Sequence, residues 1–321
     1  MNAEGGRYRL GTVEASEAVI SDLYLSLRDA LFKWSRVTMQ TPQPRMGYVG
    51  QHLTSVVTGF PGGRSGARGK DLVLPGGRHA EVKTCYRVDQ LGSCRACGAV
   101  VAAVEVECPA CRSNDIVRRD DSKWLLAPRN ERELGAFFEP EAYYFVLFDF
   151  QDLSDPTVIN ARIWEVDPKS HGFACCIIDY YFNIRAKSVS AAPFNLWPFS
   201  LKFQLMEPTL IYHSQIDSEN RITTRTFPGR LGAPEVVRLD SLPTFGSSRG
   251  LSVDVAWRTA GILGVEYEAG SSKAPVLESL ERARQRRSWD EKRLVLAIVE
   301  AMYRVRIEGR EAWLPGGAPW G

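Results

Sequence analysis

The sequence predicts a mixed α/β fold, and three segments support this prediction. Residues 14–34 repeat apolar side chains at three- and four-residue spacing, as an amphipathic helix does. Residues 143–150 (YYFVLFDF) are nearly all apolar or aromatic, which is typical of a strand buried on both faces. Residues 161–166 (ARIWEV) alternate in polarity, which indicates another strand. Helices and strands are therefore expected along one chain.

Composition narrows the class of protein. The chain has 321 residues, 44% apolar and 24% charged, as a folded globular chain of one or two domains does. Its net charge of +2 argues against a protein that coats nucleic acid nonspecifically, although a local basic surface suffices to hold DNA. No apolar run approaches the ~20 residues that cross a bilayer, and the N-terminus lacks a signal-peptide core. We expect a soluble, cytoplasmic protein with reduced thiols.

The first 86 residues predict two helices and a strand hairpin. Ser16 and Glu17 suit the start of the first helix, and two prolines within residues 38–44 break it. The predicted elements are a helix at 14–34, a shorter helix at 46–58, a Gly-rich loop at 62–70, a strand at 71–74, a Pro75-Gly76-Gly77 turn and a strand at 79–86.

The rest of the chain predicts fewer regular elements. Six prolines between residues 193 and 243 favour irregular structure with a few strands and short helices over 168–275. The other predicted elements are a cysteine- and valine-rich module at 87–122, a short helix at 131–138, strands at 143–150 and 161–166, and a helix from Ser288 or Trp289 to about Arg306.

Four cysteines form two CxxC pairs. Cys94 and Cys97 make the first pair, Cys108 and Cys111 the second, and ten residues separate the pairs. Two such turns, each presenting two thiolates, predict a tetrahedral metal site, and the pattern resembles a zinc ribbon. Four thiolates leave no open position, so the predicted Zn²⁺ is structural, and it should supply much of the folding free energy of this four-cysteine module.

Other interpretations of the cysteines stay open. A rubredoxin-type iron centre has the same four ligands, and two redox pairs or buried cysteines are the nonmetal alternative. The remaining three cysteines, Cys85, Cys175 and Cys176, lack partners at such spacing. We expect those three to lie in the core.

A second group of residues lies on the predicted strand hairpin. Asp71 opens the first strand, and Glu81-Val82-Lys83 follows after nine residues. Because side chains alternate along a strand, Glu81 and Lys83 share one face, with Asp71 beside them. Carboxylates are the oxygen ligands that Mg²⁺ prefers, and a neighbouring lysine can position or deprotonate water and stabilise developing charge. The pattern indicates hydrolysis of a phosphodiester.

These residues resemble the PD-(D/E)XK nuclease family. The resemblance is carried by Gly69-Lys70-Asp71-Leu72-Val73 and Ala80-Glu81-Val82-Lys83-Thr84, and it covers about residues 45–150. It implies a restriction-endonuclease-like core, in which helices flank a mixed central sheet and the four-cysteine module is an insertion. It also implies that Asp71, Glu81 and Lys83 are catalytic and that Mg²⁺ is held by Asp71, Glu81 and the backbone carbonyl of Val82.

The sequence departs from the family pattern at two places. The proline that precedes the acid in the family is replaced by Lys70. Many members have a metal-binding Glu on the first helix, whereas the nearest position here is Gln51, with His52 beside it. The number of metal ions therefore stays open. A solvated hairpin with an exposed Glu–Lys pair is the alternative without catalysis.

A basic loop directly precedes Asp71. Residues 62–70 (GGRSGARGK) contain Arg64, Arg68 and Lys70 and no acid, so this loop could hold DNA phosphates. A merely solvated loop is the alternative. A second basic cluster at 282–287 has acids nearby and suits a solvated helix face equally well.

The whole chain looks like a type II restriction endonuclease. It has no P-loop, so no nucleotide cofactor is expected. The implied partners are double-stranded DNA and a second copy of the chain, in a prokaryotic cytoplasm. The implied domains are an N-terminal helical region at 1–45, a nuclease core at 46–167 and a recognition and dimerisation region at 168–321. Two alternatives are a structure-specific repair or recombination nuclease and a noncatalytic zinc-ribbon DNA-binding protein.

Overall fold

A computed structural model describes residues 8–38, 47–63, 70–86, 88, 90–119, 121–187, 193–236, 250–287 and 290–317. The chain divides into two compact units. The first unit comprises Met1–Trp124, Glu141–Glu165 and Thr209–Glu235, and the second comprises Leu125–Pro140, Val166–Pro208 and Val236–Gly321. The domain boundaries predicted from the sequence stay predictions.

The helices of the described residues confirm both predicted N-terminal helices. The first consists of two α-helices joined by a π-helical segment, Ile20–Leu25, and it ends at Thr38 rather than near residue 34. The helices are α1 (Val13–Val19), α2 (Ser26–Thr38), α3 (Gly47–Thr58), α4 (Glu131–Ala136), α5 (His171–Asp179), α6 (Leu201–Leu205), α7 (Val253–Leu263), α8 (Lys273–Arg287) and α9 (Glu291–Met302).

The strands confirm the predicted hairpin and the two predicted strands that follow it. The apolar strand at 143–150 and its successor are both longer than expected from the sequence. The strands are β1 (Leu72–Val73), β2 (His79–Tyr86), β3 (Leu91–Cys94), β4 (Val100–Ala102), β5 (Ile116–Val117), β6 (Trp124–Leu126), β7 (Ala142–Asp152), β8 (Asp155–Val166), β9 (Phe194–Leu196), β10 (Thr209–Ile216), β11 (Ile222–Thr226) and β12 (Glu235–Val236).

One mixed sheet dominates the first unit. Among the described strands its order is β1-β2-β7-β8-β10-β11, and β12 also pairs with β10. Strands β2 and β7 are parallel, whereas β1 pairs with β2 and β10 pairs with β8 and β11 in antiparallel fashion. The mixed sheet flanked by helices confirms the predicted fold class.

The core of the first unit lies between the helices and one face of this sheet. Alternate residues of β2 and β7, including Ala80, Val82, Tyr144 and Val146, are buried in one apolar cluster with residues of the N-terminal helices. Their neighbours along the strands, such as Glu81 and Lys83, point to the opposite face. The core therefore fixes which face carries the acidic side chains.

The second unit is mainly helical. Cys175 and Cys176 are buried in α5, and Cys85 is buried in β2, which confirms that these three cysteines lie in the core. The predicted last helix is present, although Ser288 and Trp289 lie outside the described residues. Helix α9 starts after Asp290, whose side chain accepts from the Lys292 amide, and ends in a π-helical segment, Tyr303–Ile307.

The region at 168–275 contains the strands and short helices expected of it, joined by irregular connections. They are helices α5 to α7 and strands β9 to β12. The prolines at 193, 198, 208, 228 and 234 lie in the connections between these elements. They mark where elements end and do not disrupt them. In the described parts of the chain, no helix is long and apolar enough to span a membrane.

Candidate active site and metal centre

A close contact between α3 and β2 positions the first side chain of the site. Any Cβ atom on Gly50 would overlap the Thr84 side chain, so only glycine permits this approach. Gln51, the next residue, then lies beside the start of β1. Its Nε2 donates to Asp71 Oδ1 at 2.7 Å. His52 is exposed on the same helix.

Asp71 is held by two hydrogen bonds from two elements. The antiparallel pairing of Leu72 with Ala80 places Asp71 beside Glu81. Asp71 Oδ2 accepts from the backbone amide of Val82 at 2.8 Å, while Oδ1 accepts from Gln51. Burial nevertheless raises the pKa of Asp71 above its ordinary value, and the nearby negative charge of Glu81 adds to this rise. The hydrogen bonds thus orient the Asp71 carboxylate, but they do not fully offset the cost of burying its negative charge beside Glu81.

Glu81 and Lys83 form an ion pair on one face of β2. Lys83 Nζ lies 2.6 Å from Glu81 Oε2, and the two side chains are 29% and 13% exposed. The other carboxylate oxygen, Glu81 Oε1, is buried and accepts no hydrogen bond from any described residue. An uncompensated buried carboxylate oxygen is unfavourable in water-free surroundings, and it is what a metal ligand looks like before its cation binds.

Gln51, Asp71, Glu81 and Lys83 are hereafter called the acidic cluster. The structure brings together the three residues predicted as catalytic and the glutamine named as the nearest helix position. Asp71 and Glu81 offer carboxylate oxygens, and the unpartnered Glu81 Oε1 fits a cation in this cluster. The chemistry of this donor set suits a hard divalent ion such as Mg²⁺.

Tyr143 is a neighbour of the acidic cluster that sequence reasoning missed. It lies opposite Glu81 in the parallel register of β2 and β7 and is buried. Burial raises the pKa of its phenol, and the negative charges of Glu81 and Asp71 raise it further. The tyrosine therefore stays neutral. Its apolar neighbours in the sequence indicate only a core strand, because nothing local reports the register with β2.

Part of the predicted DNA-binding loop can be placed. Arg64 and Arg68 lie outside the described residues, and Lys70 is exposed next to Asp71. The Gly63 amide donates to the Asp71 carbonyl at 2.9 Å, and a Cβ on Gly63 would overlap the Lys70 carbonyl. The two ends of the basic loop, at Gly63 and Lys70, therefore lie next to each other and directly beside the acidic cluster.

The four cysteines meet in a second site. The Cys94 and Cys111 sulfurs are 3.5 Å apart, those of Cys97 and Cys108 are 3.7 Å apart, and all four lie within 4.8 Å of one another. Metal–sulfur bonds of about 2.3 Å in a tetrahedron place the sulfurs about 3.8 Å apart, so these residues fit a four-thiolate metal site. The backbone amide of Cys97 helps to lower the pKa of Cys94 to about 7, whereas the neighbouring Cys97 and Cys94 thiols raise the pKa of Cys111, so Cys94 ionises more readily than Cys111.

Both cysteine turns have the same backbone hydrogen bonds. The amide one residue after the second cysteine donates to the carbonyl of the first, from Gly98 to Cys94 at 2.9 Å and from Arg112 to Cys108 at 2.8 Å. Both donors have positive φ, +73° at Gly98 and +62° at Arg112. Local geometry alone therefore forms each pair of ligands.

Strands β3, β4 and β5 form a three-stranded sheet around these turns. Cys94, Val101, Cys108 and Ile116 make its small buried cluster, which is separate from the main core. Arg118 ties the module together by donating to the carbonyls of Ala103 and Glu105, each at 2.7 Å. So few apolar residues provide little burial, which suits a module that depends on a metal.

The second basic cluster forms part of α8. Arg284 pairs with Glu281 at 2.6 Å, and Arg282 donates to the Ser279 hydroxyl. This pairing favours the interpretation as a solvated helix face.

Comparison with known protein families identifies a relationship. A family model for the MamI restriction endonuclease matches residues 33–236, which is more than half of the chain. The matched range contains the acidic cluster, the four cysteines and the sheet strands up to β12. No curated protein and no solved structure matches the chain.

Proposed function

Because the chain belongs to the MamI restriction endonuclease family, we propose that it cuts double-stranded DNA at a specific sequence by Mg²⁺-dependent phosphodiester hydrolysis. The observation that supports this proposal best is the acidic cluster. Two carboxylates and a lysine meet at the edge of a mixed sheet, and one buried carboxylate oxygen has no hydrogen-bond donor among the described residues.

Asp71, Glu81 and the backbone carbonyl of Val82 would hold the Mg²⁺. When bound, the ion would supply a water of lowered pKa and positive charge beside the scissile phosphate. The hydrogen bonds from Gln51 and Val82 fix both oxygens of Asp71, so this carboxylate is oriented in advance. Glu81 keeps Oε1 available while its Oε2 accepts from Lys83.

Lys83 is proposed to act on the attacking water and on the phosphate. Its ammonium lies against Glu81 and is partly exposed, so it can reach both the metal-binding carboxylate and a substrate bound beside the acidic cluster. It can orient the water and place positive charge near the developing phosphorane. Lys70, together with Arg64 and Arg68, would hold neighbouring phosphates of the same strand.

Two further features belong to this proposal. We propose Zn²⁺ as the structural ion of the four cysteines, since the sulfur spacing fits and four thiolates exclude an open catalytic position. We also propose a homodimer, in which each copy cuts one strand. Light scattering of the purified protein should give twice the mass of the 35.9 kDa chain.

Digestion of plasmid and phage DNA tests the proposal. With Mg²⁺, the protein should give discrete, reproducible fragments whose ends share one sequence. Smears or selective cutting of branched DNA would instead support a repair nuclease. No cleavage with any divalent metal would support a noncatalytic DNA-binding protein.

Matched variants test the assignment of the site. Asp71→Asn, Glu81→Gln and Lys83→Met should each lower the cleavage rate on the order of 10²–10⁴-fold, because each removes a group that binds the metal or moves a proton. Glu141→Gln is the control, since Glu141 is a half-buried carboxylate outside the acidic cluster that pairs with Arg78 at 3.3 Å. Likewise Gln51→Ala should slow cleavage and His52→Ala should not. Full activity in the three main variants would disprove the site.

A further inference from the structure

A row of polar side chains lies on the sheet face opposite the N-terminal helices. The face is the one that carries Glu81, because Tyr143, opposite Glu81, lies an even number of residues from Gln151 along β7. Register pairs then place the neighbours on the same face, His213 opposite Arg162 and Gln215 opposite Asn160. The polar row comprises Gln151, Asn160, Arg162, His213, Gln215 and Arg225.

Hydrogen bonds join the row across four strands, β7, β8, β10 and β11. Asn160 Oδ1 contacts His213 Nε2 at 2.8 Å, and Gln215 Nε2 donates to Gln151 Oε1 at 3.1 Å. Arg225 Nε donates to Gln215 Oε1 at 3.2 Å. Asn160 is only 1% exposed, so it lies beneath the accessible side chains and positions His213 through their hydrogen bond. The amides and the guanidinium are thereby held on strands rather than on flexible loops.

The outer members of the row are accessible. Gln151 and Arg225 are exposed, and Gln215 is half-buried between them. Arg162 is bound to Asp149 through one nitrogen and both carboxylate oxygens, at 2.6 and 2.9 Å, so its charge is compensated. Arg225 forms no salt bridge with a carboxylate of the described residues. Positive charge and amide groups therefore meet at one exposed place.

This chemistry matches the edges of DNA bases. Guanine presents two acceptors to a guanidinium in the major groove, and adenine presents one donor and one acceptor to an amide. Phosphate oxygens only accept hydrogen bonds, so they can use the NH₂ groups of the amides but leave the amide oxygens without a partner. One exposed glutamine, one half-buried glutamine and an arginine without a salt bridge to the described residues fit base recognition better than phosphate binding.

The row lies at a useful distance from the acidic cluster. Gln151 is eight residues beyond Tyr143 on β7, which is about 26 Å at 3.3 Å per residue. That length corresponds to roughly eight base pairs at 3.4 Å each. Trp124 packs against Phe145 and Trp164 between them, and all three rings are buried, so this sheet face carries accessible polar groups only at its two ends.

We propose that Gln151, Gln215 and Arg225 read base edges of the recognition sequence. This inference rests on the proposed function, because it gives the same enzyme the residues that select its cutting site. It places recognition in strands β7, β10 and β11 of the first unit, within the range matched by the family model. Gln215 and Arg225 lie within the predicted recognition region at 168–321, whereas Gln151 lies before it.

The test measures specificity rather than activity alone. The wild-type site is first read from the ends of the fragments, and all single-base variants of that site are then cut under single-turnover conditions. Gln215→Ala and Arg225→Ala should slow cutting of the wild-type site about 5- to 150-fold each. Cutting of sites changed at one or two positions should fall much less, so discrimination at those positions is lost.

Arg221→Ala is the matched control. Arg221 lies on the same hairpin, is exposed, and is already paired with Asp217 at 2.7 Å and with Glu219 at 3.1 Å. It should cut all sites with wild-type relative rates. Arg225→Lys keeps the positive charge but not the planar fork, so it should lose discrimination as Arg225→Ala does while retaining the salt dependence of binding.

Each contrary result has a distinct meaning. If Arg225→Ala and Gln215→Ala keep the relative rates on all sites, the inference is overturned and the function stands. If Arg225→Ala weakens binding equally for every sequence and Arg225→Lys restores it, the arginine binds phosphate, which also overturns base reading. If the wild type cuts no DNA, the proposed function fails, and base reading by a nuclease fails with it.

Discussion

The two candidate sites of the first unit are assembled in opposite ways. The four cysteines lie within Cys94–Cys111, and each pair is shaped by hydrogen bonds inside its own turn. The acidic cluster draws on helix α3, on the residue before β1 and on β2, and Gln51 and Asp71 are 20 residues apart. Local sequence is therefore enough to bring the four cysteines together, whereas the side chains of the acidic cluster meet only in the packed fold.

The sites also differ in what they contribute to stability. The cysteine turns surround a small apolar cluster, so a bound metal supplies what burial cannot. In the acidic cluster, by contrast, burial raises the pKa of Asp71, and Glu81 Oε1 has no donor among the described residues. This cluster therefore costs stability until a cation binds.

The largest expected effect comes from removing one ligand of the four-cysteine site. Cys94→Ser should lose the bound metal and unfold the module, because metal binding to such sites supplies about 10–16 kcal/mol of folding free energy. Elemental analysis should find about one metal ion per wild-type chain and none in the variant, and limited proteolysis should newly cut within residues 90–119. Elemental analysis also distinguishes zinc from iron.

Cys85→Ala is the matched control for this change. Cys85 is buried in β2 and lies outside the four-cysteine group, so its loss should leave the metal content unchanged. A metal-free Cys94→Ser chain with wild-type protease resistance would contradict the structural role.

The second effect tests the dependence of the acidic cluster on packing. Gly50→Ala should cost about 1–3 kcal/mol and slow cleavage, because the added methyl group overlaps Thr84 and moves Gln51 away from Asp71. Gly47→Ala, at the start of the same helix, meets no atom within 4 Å and is the control. Urea denaturation and cleavage assays measure both. Metal content should stay the same in both variants, and a loss in Gly50→Ala would mean that the two sites are coupled.

The contrast between the two sites also explains which features of the molecule could be predicted from the sequence. The cysteine site could be predicted because spacing alone specifies a tetrahedral ligand set, and β2 could be predicted from its alternation and the preceding turn. Tyr143 and the polar row could not, because their places depend on the register between strands far apart in sequence. Strands β10 and β11 could not be placed individually, because the nearby prolines favour irregular structure although they lie in the adjoining connections.

A third, smaller effect concerns the stability cost of the acidic cluster. Without metal at neutral pH, Asp71→Asn should be more stable than wild type by about 0.5–2 kcal/mol, because the charge that burial disfavours is gone. The raised pKa of Asp71 means that the folded state binds its proton more tightly than the unfolded state does. Wild type should therefore regain stability relative to the variant as the pH falls through that pKa.

Saturating Mg²⁺ should reverse the order, because it stabilises a folded state that binds it. Thermal unfolding with Mg²⁺ and with a chelator measures both effects. A wild type that is the more stable form without metal would contradict the idea that this cluster is held at a cost.

The smallest effect returns to the cysteine turns. Arg112 takes the positive φ that Gly98 takes in the first turn, and a left-handed conformation costs a residue with a side chain about 1–2 kcal/mol. Its salt bridge with Glu107, at 3.6 Å between side chains 82% and 52% exposed, contributes little. Arg112→Gly should therefore stabilise the metal-bound module by about 0.5–1 kcal/mol after the greater entropy of the unfolded chain is deducted.

Gly98→Ala, which creates the same strain in the first turn, should destabilise the module by about 1–2 kcal/mol. Thermal unfolding and competition with a metal-binding dye measure both changes. Opposite signs are expected because the two turns share one hydrogen-bond pattern and differ in whether a side chain must adopt the left-handed conformation. Destabilisation by both substitutions would show that the Arg112 side chain itself supports the second turn, and that this site is less local than its spacing indicates.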